Sequence, residues 1–310
     1  MCDLTNPAFT DEDKARELLE ASRWPDGPVC PHCGQLDSVS ALGGKSMGPG
    51  WFHCSDCREK FTVRVGTLYE RSHIPLHKWL LATHLIVSSK KGISALQIQR
   101  MLGISYKSAW FMCHRIRESM KPATRGSVGG EGKIVEADET YIGGKEANKH
   151  VSKRNKRNIG GKGKQAVFAL VERDGHSHSF HVANVSGDDL RPLIVTHTSR
   201  KSSLMTDQGG QYFHVGKEFS RHETVNHSAD EYVRGDAHTN TAECRFSLMK
   251  RAVFGAHHSI SEAHLHRYLT EWDFKWNNRK LSDKERAAVA LKGIEGKRLT
   301  YRRPDETAIA

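Results

Sequence analysis

Four cysteines constrain the first part of this chain more than any other residues. They fall as Cys30-Pro-His-Cys33 and Cys54-Ser-Asp-Cys57, with 20 residues between the two pairs. Two C-x2-C turns at this spacing can point four thiolates at one tetrahedral Zn2+, which is the arrangement of a zinc ribbon. A pair of C-x2-C disulfides is the alternative, and a reducing cell interior disfavours it. The intervening QLDSVSALGGKSMGPGWFH is turn-rich and strand-like, as a ribbon requires, and Phe61-Thr-Val-Arg-Val65 reads as a further strand. One structural Zn2+ held by Cys30, Cys33, Cys54 and Cys57 is therefore expected. A ribbon of this kind can bind DNA or another subunit. Burial is the expected account of the remaining Cys2, Cys113 and Cys244.

At 310 residues the chain has room for two or three domains. No stretch approaches the ~20 apolar residues of a membrane span. The N-terminal MCDLTNPAFTDEDKARELLE is acidic and amphipathic, unlike a secretory signal. A cytoplasmic, nucleoid-associated protein with no membrane partner is expected. The formal net charge of +11 points to an acidic polymer, most often nucleic acid. The charge is uneven. Between Lys145 and Lys164 stand eight Lys/Arg, among them Lys153, Arg154, Lys156 and Arg157, against one acid, Glu146. That glycine-containing segment suits phosphate contact, and equally a solvated loop.

Three acids far apart in the chain carry the chemical reading. Asp138 follows a short apolar run in IVEADETYIGG, and Asp207 ends another in SLMTDQGGQY. Glu243 lies in HTNTAECRFSLMKR, which reads as a helix, with 35 residues between it and Asp207. Two carboxylates at strand ends and a third on a later helix would form an all-oxygen site for hard divalent cations, which often act in pairs on phosphodiesters. Taken singly, each has an ordinary explanation: a solvated loop after Asp138, turn chemistry at Asp207-Gln-Gly, a capping Glu three residues after Asn240. Helical spacing places Glu243, Ser247 and Lys250 on one face, where Lys250 can touch substrate phosphate.

The rest of the chain supplies the context. Residues 10–20 read as a helix capped by Thr10. Residues 76–119 read as helices: LHKWLLATHLIVSS, then SALQIQRML capped by Ser94, a turn at Gly103, and SYKSAWFMCHRIRESM capped by Ser105. The last two form a helix-turn-helix layout, with Tyr106, Lys107 and Arg115 expected to be exposed toward a DNA groove; a plain helical connector is the alternative. After a linker at 124–133 come strands near 134–142, 165–174 and 177–186, a helix from about 186 to 198, and a strand ending at Asp207. That order predicts a mixed sheet with helices packed on it. A final helix over 261–280 carries an apolar stripe of Leu265, Tyr268, Leu269, Trp272 and Trp276.

These residues, CPHCG…CSDCR, the paired helices, VEADETYIGGK, LMTDQGGQY and HTNTAECRFSLMKR, resemble a bacterial insertion-sequence transposase. The similar group pairs an N-terminal zinc ribbon with a DDE catalytic domain, and its eukaryotic relatives are the Merlin transposons. The resemblance implies a multidomain protein: an N-terminal helix and small β zinc ribbon (1–72), a helical helix-turn-helix-like region (73–123), an α/β ribonuclease H-like catalytic core (130–285) and a basic tail (286–310). It also implies two Mg2+ or Mn2+ per active site and binding to double-stranded DNA at terminal inverted repeats and target; since such a reaction handles two element ends together, a homodimer or larger assembly is expected. Asp138, Asp207 and Glu243 match the family's catalytic acids, and Lys250 its downstream lysine. Parts of the family use Asn as the third residue, at the position of Asn240; Glu243 is preferred here because a carboxylate neutralises a cation better than an amide. The function expected is cleavage at the element's ends and joining of the 3′-hydroxyl to target DNA. A non-catalytic ribbon and helix-turn-helix regulator is the alternative, and it needs no convergence of the acids.

Overall fold

The computed structural model describes residues 4–44, 47–144, 146–155, 161–226 and 229–300. The chain divides into two units, the first built from residues up to Pro122 together with those from Leu281, the second from Ala123–Lys280.

The first unit begins with α1, Glu12–Arg23, whose N-cap is Asp11 rather than Thr10: the Asp11 carboxylate accepts from Lys14 N–H at 2.9 Å. A carboxylate at this position also meets the positive end of the helix dipole, which a threonine cannot. Strands β1 (Val39–Leu42), β2 (Trp51–Cys54) and β3 (Lys60–Thr62) form an antiparallel sheet in that order. β3 stops at Thr62, short of the predicted Val65, because Val65 N–H turns back to Thr62 C=O. Phe52 stacks on Phe61 at 5.7 Å, and Trp24 meets both rings edge-on. Helices α2 (Leu76–Ser88), α3 (Ala95–Leu102) and α4 (Tyr106–Ser119) follow. Ser94 caps α3 and Ser105 caps α4, accepting from Gln97 and Ser108 N–H. Between them Gly103 takes φ +60°, a left-handed residue that ends α3 and lets α4 set off in a new direction.

The unit closes with a helix for which the basic-tail reading of 286–310 had no place. The last helix, α9, spans Asp283–Lys292 and starts with a reciprocal capping box between Ser282 and Glu285. It brings Ala290 and, just beyond it, Ile294 into the interior, where Leu68 N–H donates to Ile294 C=O at 3.0 Å.

The second unit is a five-stranded mixed sheet, with β4 (Ile134–Ile142) at the centre. β5 (Gln165–Glu172) and β6 (Ser177–Val182) continue it antiparallel on one side, turning at Asp174 with φ +59°. On the other side β7 (Ser203–Asp207) and β8 (Arg221–Val225) run parallel to it. Helix α5 (Gly187–His197) and the short α6 (Phe213–Gly216) cover one face; Leu190, Ile194, Tyr212 and Val215 pack there on Val135, Ala137, Phe168 and Leu204. α7 (Asn240–Ala252) and α8 (Glu262–Asn277) cover the other, where Phe246, Met249, Leu265, Leu269 and Trp272 meet Val167, Ala169 and Val171. The predicted stripe on α8 is thus core. This sheet is consistent with a ribonuclease H-like core. Among the described residues no helix is long and apolar enough to cross a membrane.

Candidate active site and zinc centre

Strand periodicity decides where the acids go. Val135 and Ala137 face α5, so Glu136 and Asp138 face α7. On β7, Leu204 faces α5, so Met205 and Asp207 also face the α7 side. The parallel register pairs Ala137 with Thr206. Asp138 and Asp207 are the next residues along each strand, about 4.8 Å of strand spacing apart and on one face. Asp138 therefore lies mid-strand rather than at a strand end, because β4 runs on beside β5 after it leaves β7. Glu243 sits in the first turn of α7, above the same face, where the positive end of the helix favours a carboxylate.

Asp138 feels the acids around it. Burial, followed by the charges of Glu139, Asp207 and Glu243, lifts the Asp138 carboxyl to about 7, against the backbone N–H of Glu139, which donates to its Oδ1 at 2.8 Å. Asp207 Oδ1 accepts from Gly209 N–H at 3.1 Å, which shapes the following turn. The acids do not close on a single point. Among the described residues, the four cysteines are the group of three or more metal-ligating side chains whose donor atoms all lie within 4.8 Å of one another. The donor set fits a hard divalent cation: oxygens only, and a buried carboxyl whose costly negative charge a cation would offset in place of the proton.

The zinc centre is tighter. The Cys30 and Cys57 sulphurs lie 3.6 Å apart, as do those of Cys33 and Cys54. Four thiolates at ~2.3 Å around a tetrahedral zinc would be separated by about 3.8 Å. Both knuckles are built by backbone bonds: Cys30 N–H to Gln35 C=O and Cys54 N–H to Glu59 C=O. Burial works against ionisation of Cys30, yet the amides of Cys33 and His32 bring its thiol down to about 7. Gly34 and Arg58, each just after a knuckle, take positive φ to close it.

Other predicted residues are scattered. Asn240 and Lys250 lie exposed on α7, Lys250 on the side of Glu243 and Ser247, while Leu248 is exposed and Phe246 buried. Lys107 is exposed at the start of α4. Arg115 is not on that open face. It is half-buried, stacked on Phe111 at 4.8 Å, and donates to Glu70 C=O and Leu299 C=O; burial and the charge of Arg298 lower its pKa. Ten residues past Ser105, its spacing turns it inward. Lys153 and Arg154 are exposed, Arg154 bonding Lys149 and Ala147 carbonyls. Lys156 and Arg157 lie outside the described residues, as does Cys2. Cys113 is buried, but Cys244 is exposed, because its neighbours Ala242 and Arg245 take the inward positions of α7.

Two acids next to Asp138 went unread in the sequence. Glu136 is fully buried and bonds Arg173, Thr241 and Ala242. Glu139, on the opposite face, accepts from Tyr212 O–H and from Gln211 Nε2. Burial and the charge of Asp207 raise the Glu139 carboxyl, against those bonds. The available signal was the acid at i−2 from Asp138 inside an otherwise apolar strand.

The chain thus carries a zinc ribbon in its first unit and, in its second, a mixed sheet with acids gathered on one face. Residues 129–277 match the ISXO2-like transposase domain, and residues 10–60 match the transposase zinc-ribbon domain. The chain belongs to the insertion-sequence transposases that combine these two domains. It is 28% identical over 278 residues to an uncharacterized protein in the transposable element ISH50 of Halobacterium salinarum, covering 86% of this chain and 91% of that one. A simian T-cell lymphotropic virus intasome, solved with PP2A regulatory subunit B56 gamma, aligns at 15% identity and a TM-score of 0.23, over 64% of this chain and 63% of its own. A likeness that slight carries no argument.

Proposed function

We propose that this transposase cuts DNA at the ends of its element and joins the freed 3′-hydroxyl to target DNA, with both steps in one active site. What carries this reading is the convergence of Asp138, Asp207 and Glu243 on one face of the sheet, close enough for their charges to act on Asp138. Asp138 and Asp207 would hold the divalent cations between them, and Glu243 would complete the second position. Bound there, Mg2+ or Mn2+ would activate the attacking oxygen and offset charge on the phosphate oxygens. Glu243 is favoured over Asn240 because its charge registers at Asp138, while an amide supplies none. Lys250, seven residues along α7 and about 10.5 Å further on, steadies the DNA backbone.

The helices α3 and α4 form the helix-turn-helix that docks on DNA, with Lys107 reaching phosphate, while Arg115 fixes the shape of the unit from inside. The segment with Lys153, Arg154, Lys156 and Arg157 contributes sequence-independent attraction. Two element ends must be handled together, so the active form is a dimer or larger.

The test is end cleavage and strand transfer with Mg2+ on DNA carrying the terminal repeats. Asp138→Asn and Asp207→Asn should each lower cleavage by at least about 1000-fold while leaving binding to the repeats within about twofold. Full cleavage by either variant would refute the assignment. Glu243→Gln should match them, and Asn240→Ala should not.

A further inference from the structure

The buried carboxylate of Glu136 has no part in the chemistry proposed above, and its surroundings give it a different one. Its side chain is fully shielded from solvent, on the third residue of the central strand. Oε1 accepts from Arg173 Nε at 2.6 Å and from the Thr241 hydroxyl at 2.9 Å; Oε2 accepts from the backbone N–H of Ala242 at 2.9 Å. His238 Nδ1 stands 3.3 Å from Oε1. Thr241 and Ala242 are the second and third residues of α7, and Glu243 is the fourth.

Arg173 extends the grip. Beyond Glu136, its guanidinium donates to Asp236 C=O at 2.8 Å and to His238 C=O at 2.9 Å, the residues that lead into α7. Its own backbone N–H is bound to Ile134 C=O beside the same strand. One carboxylate and one guanidinium thus tie the approach and first turn of α7 to β4, two residues before Asp138. The hydroxyl of Thr239, the N-cap residue, donates to Glu243 Oε1 at 3.5 Å rather than capping a helix amide, and Glu136 supplies from the sheet the acceptor that a cap would normally provide.

We infer that Glu136 is a positioning residue: it anchors the N-terminus of α7 on β4 and so sets Glu243 against Asp138 and Asp207. It is not itself a ligand, since both its oxygens are occupied by donors of the chain and neither reaches solvent. The inference rests on the acids holding divalent cations. A partner behind a metal ligand typically changes affinity by about 10–100-fold when removed.

The experiment measures Mn2+ binding to the full-length protein without DNA, by electron paramagnetic resonance titration, in wild type, Asp138→Asn, Glu136→Gln and Thr241→Val. Glutamine keeps the shape of Glu136 but sets an NH2 against one of its donors. Thr241→Val removes a single donor and keeps the volume, so it answers if Glu136→Gln fails to fold. Expected is loss of binding in Asp138→Asn, weakening of about tenfold or more in Glu136→Gln, and about two- to fivefold in Thr241→Val. Hydrogen exchange should rise at the amides of 241–244 in both of the latter and not in Asp138→Asn. If Asp138→Asn binds Mn2+ like wild type, the acids do not hold the cations, and the role of Glu136 falls with that reading. If Asp138→Asn loses binding while Glu136→Gln and Thr241→Val, both folded, bind as wild type does, the cation site stands and the positioning role is wrong.

Discussion

Asp138 is the residue at which burial, charge and chemistry meet. Its carboxyl, ordinarily near 3.8, is lifted to about 7 in the folded chain by burial and by its acidic neighbours. The folded state therefore binds this proton more tightly than the unfolded state does. By linkage, the contribution of Asp138 to stability falls as pH rises from about 4 to about 7 and is constant above that. In the proposed site a divalent cation would compete with the same proton. The upward shift in unfolding temperature produced by 5 mM Mn2+ should thus grow between pH 5.5 and 7 and then level off, which differential scanning fluorimetry would follow. Asp138→Asn should remove that pH-dependent gain and unfold several degrees above wild type in metal-free buffer at pH 8. A Mn2+ shift equal at pH 5.5 and pH 8 would contradict this account.

At the level of elements, the ribbon and α7 show two ways of holding a short piece in place. The ribbon's three strands are only three or four residues long, over a small aromatic cluster of Trp24, Phe52 and Phe61. The cysteines add the cohesion that so small a cluster lacks. Cys54→Ser should lower bound zinc from one to less than about 0.2 per chain by metal analysis, and should abolish the hydrogen-exchange protection of β2 while leaving that of β4 and β5 unchanged. The ribbon was legible in the sequence because its ligands are close together and their spacing is rigid. The strands bearing Asp138 and Asp207 were legible as well, as apolar runs ending in acids. What escaped was whatever depends on register. That Glu136 turns toward α7 while Glu139 turns toward Tyr212 follows from a period of two, but only once β4 is known to be buried on both faces. Arg115 was misplaced for a related reason: a long cation on a helix looks exposed until Phe111 and the carbonyls of Glu70 and Leu299 are found around it. The helix at Asp283–Lys292 was hidden by the basic residues that follow it, although Ser282 and Glu285 signal its start.

For the whole molecule, the consequential fact is that α9 belongs to the first unit, although the second is read before it. α9 and Ile294 complete an interior begun by α1 and α2. Ile294→Ala should cost about 2–5 kcal/mol, read as a lower denaturant midpoint for the first unit. Intrinsic fluorescence follows both units, since Trp24, Trp51, Trp79 and Trp110 lie in the first and Trp272 and Trp276 in the second. The second unit should keep its own midpoint, because its core clusters draw on none of these residues. The connectivity also governs how the protein can come apart. A protease that nicks the connection near residue 123 leaves the sheet-based unit covalently attached to α9, and α9 lodged in its neighbour. Release of either piece therefore requires two breaks, or one break and the extraction of a helix, so a nicked chain keeps its two units in one particle.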